Sequence, residues 1–175
     1  NSYVNPAHEM RAREIAREMF PDLSVSISSD AGQEYGEYER TLTTVVNTAV
    51  QPRTVLYMKN FESSIRDRKF GGSLSIVRSD GGAMSTEAVA ERPIQISLSG
   101  PSGGVTGSAY LARTIGIPDV LTFDMGGTST DVSLVLGGET PLRREIQLGY
   151  FQFKVPAVDV HSVGAGGGSI AFVST

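Results

Sequence analysis

No cysteine occurs among the 175 residues. Disulfides, thiolate metal sites and a cysteine nucleophile are thereby excluded within this stretch. No apolar run approaches the roughly 18 residues of a membrane-spanning helix. No charged-then-apolar leader opens the chain, so a cytoplasmic protein is expected. His-x-x-x-His pairs and Gly-x-Ser-x-Gly elbows are also missing, which removes the simplest zinc and serine-hydrolase readings. The net charge of -4 is mild and lacks the basic stripe of a nucleic-acid surface. Anionic ligands remain open, because glycine-rich loops bind phosphate without net positive charge.

What is present is a globular composition, 39% hydrophobic and 19% charged. Sixteen of the 20 glycines cluster at 71–72, 81–82, 100–107, 126–127, 137–138 and 164–168, each cluster beside an apolar run. That layout predicts an α/β protein whose tight turns carry a binding site.

Asn5-Pro6 should open a helix with Ala12, Ile15, Ala16 and Met19 on one face. Leu23, Val25 and Ile27 alternate as a short strand. Helices are expected at 37–50 and 53–68, separated by Pro52. A strand at 74–78, a short helix at 84–90 and a strand through Ile94, Ile96 and Leu98 follow. Residues 99–116 read as a glycine-rich turn that becomes a helix able to pack closely. Beyond Pro118 the pattern turns to strands: 120–124, 131–136, 142–148, 150–155 and 157–163, then 170–173. A boundary near 118 is expected, and the chain looks excised from something longer.

The segment from Leu121 to Val135 carries the chemistry. An apolar strand delivers Asp124. Gly126 and Gly127 allow a tight turn with outward N–H groups, and Thr128, Ser129 and Thr130 add hydroxyls. Asp131 then opens the returning strand. N–H groups and hydroxyls can wrap phosphate oxygens. The carboxylates can hold Mg²⁺ through water or orient a nucleophile. A glycine-rich hairpin with a capping aspartate is the plainer reading. Gly166 and Gly167 sit in a loop that lacks the following helix a dinucleotide fingerprint needs. That loop is expected near substrate or nucleotide, with Asp159 and His161 just before it. His161 is equally a hydrogen-bonded structural histidine. Arg40, Thr44 and Asn47 share one helix face, facing substrate or forming a packing network.

Asp124-x-Gly126-Gly127-Thr128 resembles the second phosphate motif of the actin, heat-shock-70 and sugar-kinase ATPases. The closer resemblance is to the hydantoinase A and 5-oxoprolinase family. It is carried by Ser99-Gly-Pro-Ser-Gly-Gly-Val105, by Asp124-Met-Gly-Gly-Thr-Ser-Thr-Asp131 and by Val163-Gly-Ala-Gly-Gly-Gly-Ser-Ile-Ala171. Tyr38-Glu-Arg-Thr41, Thr44-Val-Val-Asn47 and Arg78-Ser-Asp-Gly-Gly82 are similar to further family segments. Ser102 and Asp80 depart from it, where the family usually has Ala and Asn.

The resemblance implies a fragment of an actin-like (ribonuclease H-like) fold, a mixed sheet flanked by helices. Residues 1–118 would end a first lobe and 119–175 begin a second. It implies ATP and Mg²⁺, with Asp124 as metal-water or base residue, Asp131 and His161 beside it, and 126–130 with Gly166 and Gly167 at phosphate. It further implies a small cyclic amide substrate, ATP-dependent ring opening, oligomeric assembly and a hydantoinase B-type partner. A subunit of an ATP-dependent ketone carboxylase and a non-catalytic nucleotide-binding module are the alternatives.

Overall fold

The computed structural model describes residues 1–172. Asn5 starts the first helix, α1 (Ala7–Met19), by accepting the Ala7 N–H on its side chain at 3.1 Å. The extended stretch that follows finds no partner strand among the described residues, contrary to expectation. Ile27 is buried, and Ser26 is pinned by a hydrogen bond from Asn47, so the alternation belongs to chain held by side chains. One turn, α2 (Ser28–Ala31), leads to α3 (Glu37–Asp67).

Helix α3 runs unbroken through Pro52, although two helices are expected from the sequence. Proline removes one N–H and crowds the preceding turn. Contacts next to it hold the helix together: Asn47 Nδ2 donates to Glu91 O at 3.1 Å and Gln51 Nε2 to Ala90 O at 3.0 Å. These carbonyls end α4 (Thr86–Glu91), which follows the small hairpin β1 (Ile76–Val77) and β2 (Ala83–Met84). Residues 94–98 are not a strand. Pro93–Ile96 form a 3₁₀ turn, for which proline at the first position is preorganised. Its start is fixed by Asn47 Oδ1, which accepts the Ile94 N–H at 3.2 Å. The Arg40–Asn47 stripe is thus a packing network.

Helix α5 (Ser99–Thr114) begins at once, without a preceding glycine-rich turn. Ser102, Val105, Ala109 and Ala112 form its buried face, and the Ser102 hydroxyl donates to Ser79 O at 2.6 Å. A Cβ built at Gly100, Gly104 or Gly107 would meet nothing within 4 Å.

Strands β3 (Val120–Met125) and β4 (Thr130–Val135) form the expected antiparallel hairpin, with 126–129 as its exposed tip. The strands beyond are shorter than the apolar runs suggested: β5 (Leu142–Arg143), β6 (Ile146–Leu148), β7 (Phe151–Phe153), β8 (Ala157–Val158) and β9 (His161–Val163). The expected strand at 170–173 is absent over 170–172, and 173 lies outside the described residues. Every described strand pair is antiparallel, so the expected mixed sheet is corrected. A parallel pair needs a long crossover, and no described helix follows β3.

The sheet β3-β4-β9 packs one face on α5 through Val105, Ala109, Val135, Val158 and Val160. A second cluster joins Ile94 to Ile146, Phe153, Val155 and Ala157. Neighbours Ala157 and Val158 point opposite ways and tie the two clusters together. Both clusters draw on residues from either side of position 118. The other face of the three-stranded sheet is bare: Leu121, Phe123, Met125, Leu134 and Val163 are all exposed.

Candidate functional site

The Gly126-Gly127 turn reverses the chain over four residues, closed by Gly126 N–H donating to Ser129 O at 2.9 Å. The loop at 164–168 is stitched onto it. Gly167 N–H donates to Gly126 O and Gly168 N–H to Gly127 O, each at 2.9 Å. In a trans peptide the C=O and the following N–H point in opposite directions. The two carbonyls face the loop, so the N–H groups of Gly127 and Thr128 face away from it. Neither they nor the Ser129 N–H find an acceptor among the described residues. Successive free N–H groups of this kind form an anion-binding concavity.

The second loop approaches so closely that only glycine fits. A Cβ at Gly166 would lie 2.7 Å from Gly126 O and 2.8 Å from Gly127 C and O, all backbone atoms. Gly166 N–H itself donates to Ser169 Oγ at 3.0 Å. Gly166 and Gly167 therefore spend their donors on the protein and shape the tip. Residues 169–172, which follow this loop, are not helical.

Register aligns the acids. Asp124 pairs with Asp131, and Asp131 with Ser162, so the three side chains form a row on the α5 face of the sheet. Ser162 Oγ donates to Asp131 Oδ1 at 2.5 Å. Asp124 is exposed and its carboxylate has no hydrogen-bond partner among the described residues. His161 pairs with Val132 and projects from the opposite face, away from the acids. The hydroxyls divide too. Thr130 is buried and donates to Ala165 O at 2.6 Å, whereas Thr128 and Ser129 are exposed at the tip.

Helix α5 points its positive end at this row. Its last turn is fixed at the base of the hairpin, where Arg113 Nη1 donates to Gly138 O at 2.6 Å. Its first turn lies beside Ser162, across a cavity of about 450 Å³. Leu98 at the cap position offers no side-chain acceptor. Helix N-termini favour negative charge.

The residues fit a phosphate-bound Mg²⁺. Two aligned carboxylates and a polar tip are what that ion takes from a protein, water and phosphate completing its shell. An all-protein cage is absent among the described residues, where no group of three or more His, Cys, Asp or Glu could hold a metal. Ser162 went unnoticed in the sequence, and Gly168 was visible only as part of the 164–168 loop, without its bond to Gly127 O. Their roles depend on β9 pairing with β4 and on a contact across some 40 residues, for which the sequence carries no local signal.

The hydantoinase/oxoprolinase family profile matches residues 40–175. The caprolactamase alpha subunit of Pseudomonas jessenii is 34% identical over 97% of this chain and 24% of its own length. The acetophenone carboxylase gamma subunit of Aromatoleum aromaticum is 33% identical over 98% of this chain and 24% of its own. The 5-oxoprolinase of Dictyostelium discoideum is 32% identical, over 98% and 14% respectively. The crystal structure of the ATP-dependent caprolactamase from Pseudomonas jessenii superposes with a TM-score of 0.85 at 33% identity, covering 99% of this chain and 25% of that one. The chain thus spans about a quarter or less of these relatives. With its hairpin, acid row and glycine loop in that setting, the chain belongs to the hydantoinase/oxoprolinase family.

Proposed function

We propose that this chain is the phosphate-handling section of an ATP-dependent enzyme that opens a cyclic amide. The observation that carries the reading is the hairpin tip: free N–H groups at 127–129 beside the aligned carboxylates of Asp124 and Asp131. ATP supplies a phosphoryl group for the ring carbonyl oxygen, which makes a resonance-stabilised amide open to water. The N–H groups of Gly127, Thr128 and Ser129 and the hydroxyls of Thr128 and Ser129 hold phosphate oxygens. Asp124, unburdened by any hydrogen bond, holds Mg²⁺ through water or takes a proton from the attacking water. Asp131, fixed by Ser162, keeps the second carboxylate in line. Mg²⁺ would be held by Asp124 and Asp131 and would offset negative charge on phosphate.

In this reading the hairpin is the second phosphate loop of an actin-like fold, and the first lies in a part of the protein outside these residues. The division at 118/119 separates lobes by role, with shared cores beneath. Gly166 and Gly167 position the tip. His161 projects from the far face of the sheet and also lines the cavity beside Ser162. Two of the relatives, those of caprolactamase and acetophenone carboxylase, are subunits, which supports a companion subunit here as well.

A carboxylase reading is favoured by the equal likeness to the acetophenone carboxylase subunit. ADP release by the full-length protein with its companion separates the two. Release driven by a cyclic amide without bicarbonate supports ring opening. Release only with a ketone and bicarbonate overturns it.

A further inference from the structure

A second cavity, of about 550 Å³, opens where α1 and α2 meet the start of α3. It shares no lining residue with the cavity beside the acid row. Arg40 stands in its wall and is only 9% exposed. Charges that deep are ordinarily paired, yet Arg40 takes part in no ion pair among the described residues. Its Nε donates to Ser28 Oγ at 3.0 Å and its Nη1 to Glu34 O at 3.1 Å, while Nη2 has no partner among the described residues. The guanidinium lies 5.6 Å from the ring centre of Tyr3, and Tyr35 stands edge-on to that ring. Helix α3 begins at the same cavity, where Gly36 at its cap has no side chain to take up the first N–H groups. Acids share the wall. Glu9 accepts from the Ser28 hydroxyl at 2.6 Å and from the Ser29 N–H at 3.1 Å, which leaves part of its acceptor capacity free. Glu37 is exposed, and its carboxylate has no partner among the described residues.

An anion alone would meet Glu9 and Glu37 here, and a cation alone would meet Arg40 and the positive helix end. One molecule carrying both charges answers both. We propose that this cavity binds a zwitterion, its carboxylate on Arg40 Nη2 at the start of α3 and its ammonium on the carboxylates of Glu9 and Glu37. The tyrosine rings favour the ammonium further. Hydrolysis of a lactam makes such a molecule. The ring C–N bond breaks, the oxygen of water joins the carbonyl carbon, and the freed amine takes up a proton, so one chain ends in carboxylate and ammonium. The cavity thus senses the product of the reaction outside the acid row, a role that rests on the ring-opening reading above. Arg40 and Glu37 touch no reacting atom.

The test is calorimetry on the full-length protein with 4-aminobutyrate, 6-aminohexanoate and glutamate, and with butyrate and butylamine as singly charged controls. At least one zwitterion should bind about tenfold or more tightly than either control. Glu37→Gln, at an exposed position, should weaken that binding about threefold. Arg40→Lys, which keeps the charge without the planar fork, should weaken it about tenfold. Should Arg40→Lys fail to fold, Glu37→Gln and the two controls decide. No binding of any zwitterion, a control that binds as tightly, or binding that Glu37→Gln leaves unchanged overturns the proposal. Binding needs no turnover, so these outcomes stand whether or not the protein opens a ring. With a ring that it does open, the bound zwitterion should lower kcat at unchanged KM, and Glu37→Gln should relieve this while leaving basal turnover intact. Inhibition that only raises KM and persists in Glu37→Gln is product in the acid-row site, and it overturns the sensing role.

Discussion

Asp124 and Asp131 share a face because six residues pair on each side of the turn without a bulge. Only Asp131 is engaged by a neighbour, Ser162. Asp124→Asn keeps shape and turn geometry but loses the charge. In the full-length enzyme it should lower ATP-dependent turnover by about 10²–10⁴-fold at an unchanged melting temperature. Wild-type turnover would make Asp124 a turn-capping residue. The two glycine pairs separate in the same manner. An added Cβ at Gly127 meets nothing within 4 Å, while at Gly166 it strikes the backbone of Gly126 and Gly127. Gly166→Ala should therefore cost about 1–3 kcal/mol in chemical denaturation, since backbone must shift. Gly127→Ala should stay within about 0.5 kcal/mol. Equal stabilities would show that the loop is not pressed against the tip.

Elements whose pattern is local were legible in the sequence. The 120–136 hairpin is written as apolar strand, glycine pair, apolar strand, and α1 as an Asn-Pro start with one apolar stripe. Elements decided by distant contacts were not. Pro52 reads as a break, but the carbonyls at the end of α4 hold α3 on the proline's N-terminal side. Alternation through Ile94, Ile96 and Leu98 suits a strand, yet Asn47 Oδ1 and Pro93 set a 3₁₀ turn. Asn47 is buried with three bonds, to Ser26, Glu91 and Ile94. Asn47→Ala should cost about 2–3 kcal/mol, because buried partners lose their bonds. A cost below about 0.5 kcal/mol would mean that water replaces the side chain. The α1–α2 joint carries a pH dependence. Burial pushes the Glu9 carboxyl up, but bonds from the Ser28 hydroxyl and the Ser29 N–H outweigh it and hold it below the ordinary value. A depressed carboxyl contributes stability above its unfolded pKa, and that contribution fades as pH falls through its folded one. The urea midpoint of the wild type should fall more steeply on acidification than that of Glu9→Gln. Parallel curves would remove Glu9 from the joint.

The molecule as a whole is asymmetric about its three-stranded sheet. One face is covered by α5 around Val135 and left open near the tip, where Asp124 is exposed. The other presents Leu121, Phe123, Met125 and Leu134, each at least half exposed, on a sheet that also carries the phosphate tip. Scattered exposed apolar residues are ordinary, but a contiguous row on a sheet face marks an interaction surface. The matched relatives are four or more times as long, so a protein of their length has ample chain to cover this face. Burying a phenylalanine contributes about 1.5–3 kcal/mol. Phe123→Ser should then destabilise the full-length protein by about that amount while leaving the melting temperature of the 175-residue chain within about 2 °C, a shift that corresponds to less than about 1 kcal/mol. The same geometry bears on nucleotide. The tip supplies donors to one side of a phosphate group only, so the 175-residue chain should bind ATP weakly or not at all in calorimetry, and the full-length protein should bind it well. Equal losses from Phe123→Ser in both proteins would show that the face is not covered by the remaining chain. Binding of ATP by the 175-residue chain with Kd near about 1 μM would show that the hairpin and its acid row already form a complete nucleotide site, and the need for a second phosphate loop would fall with it.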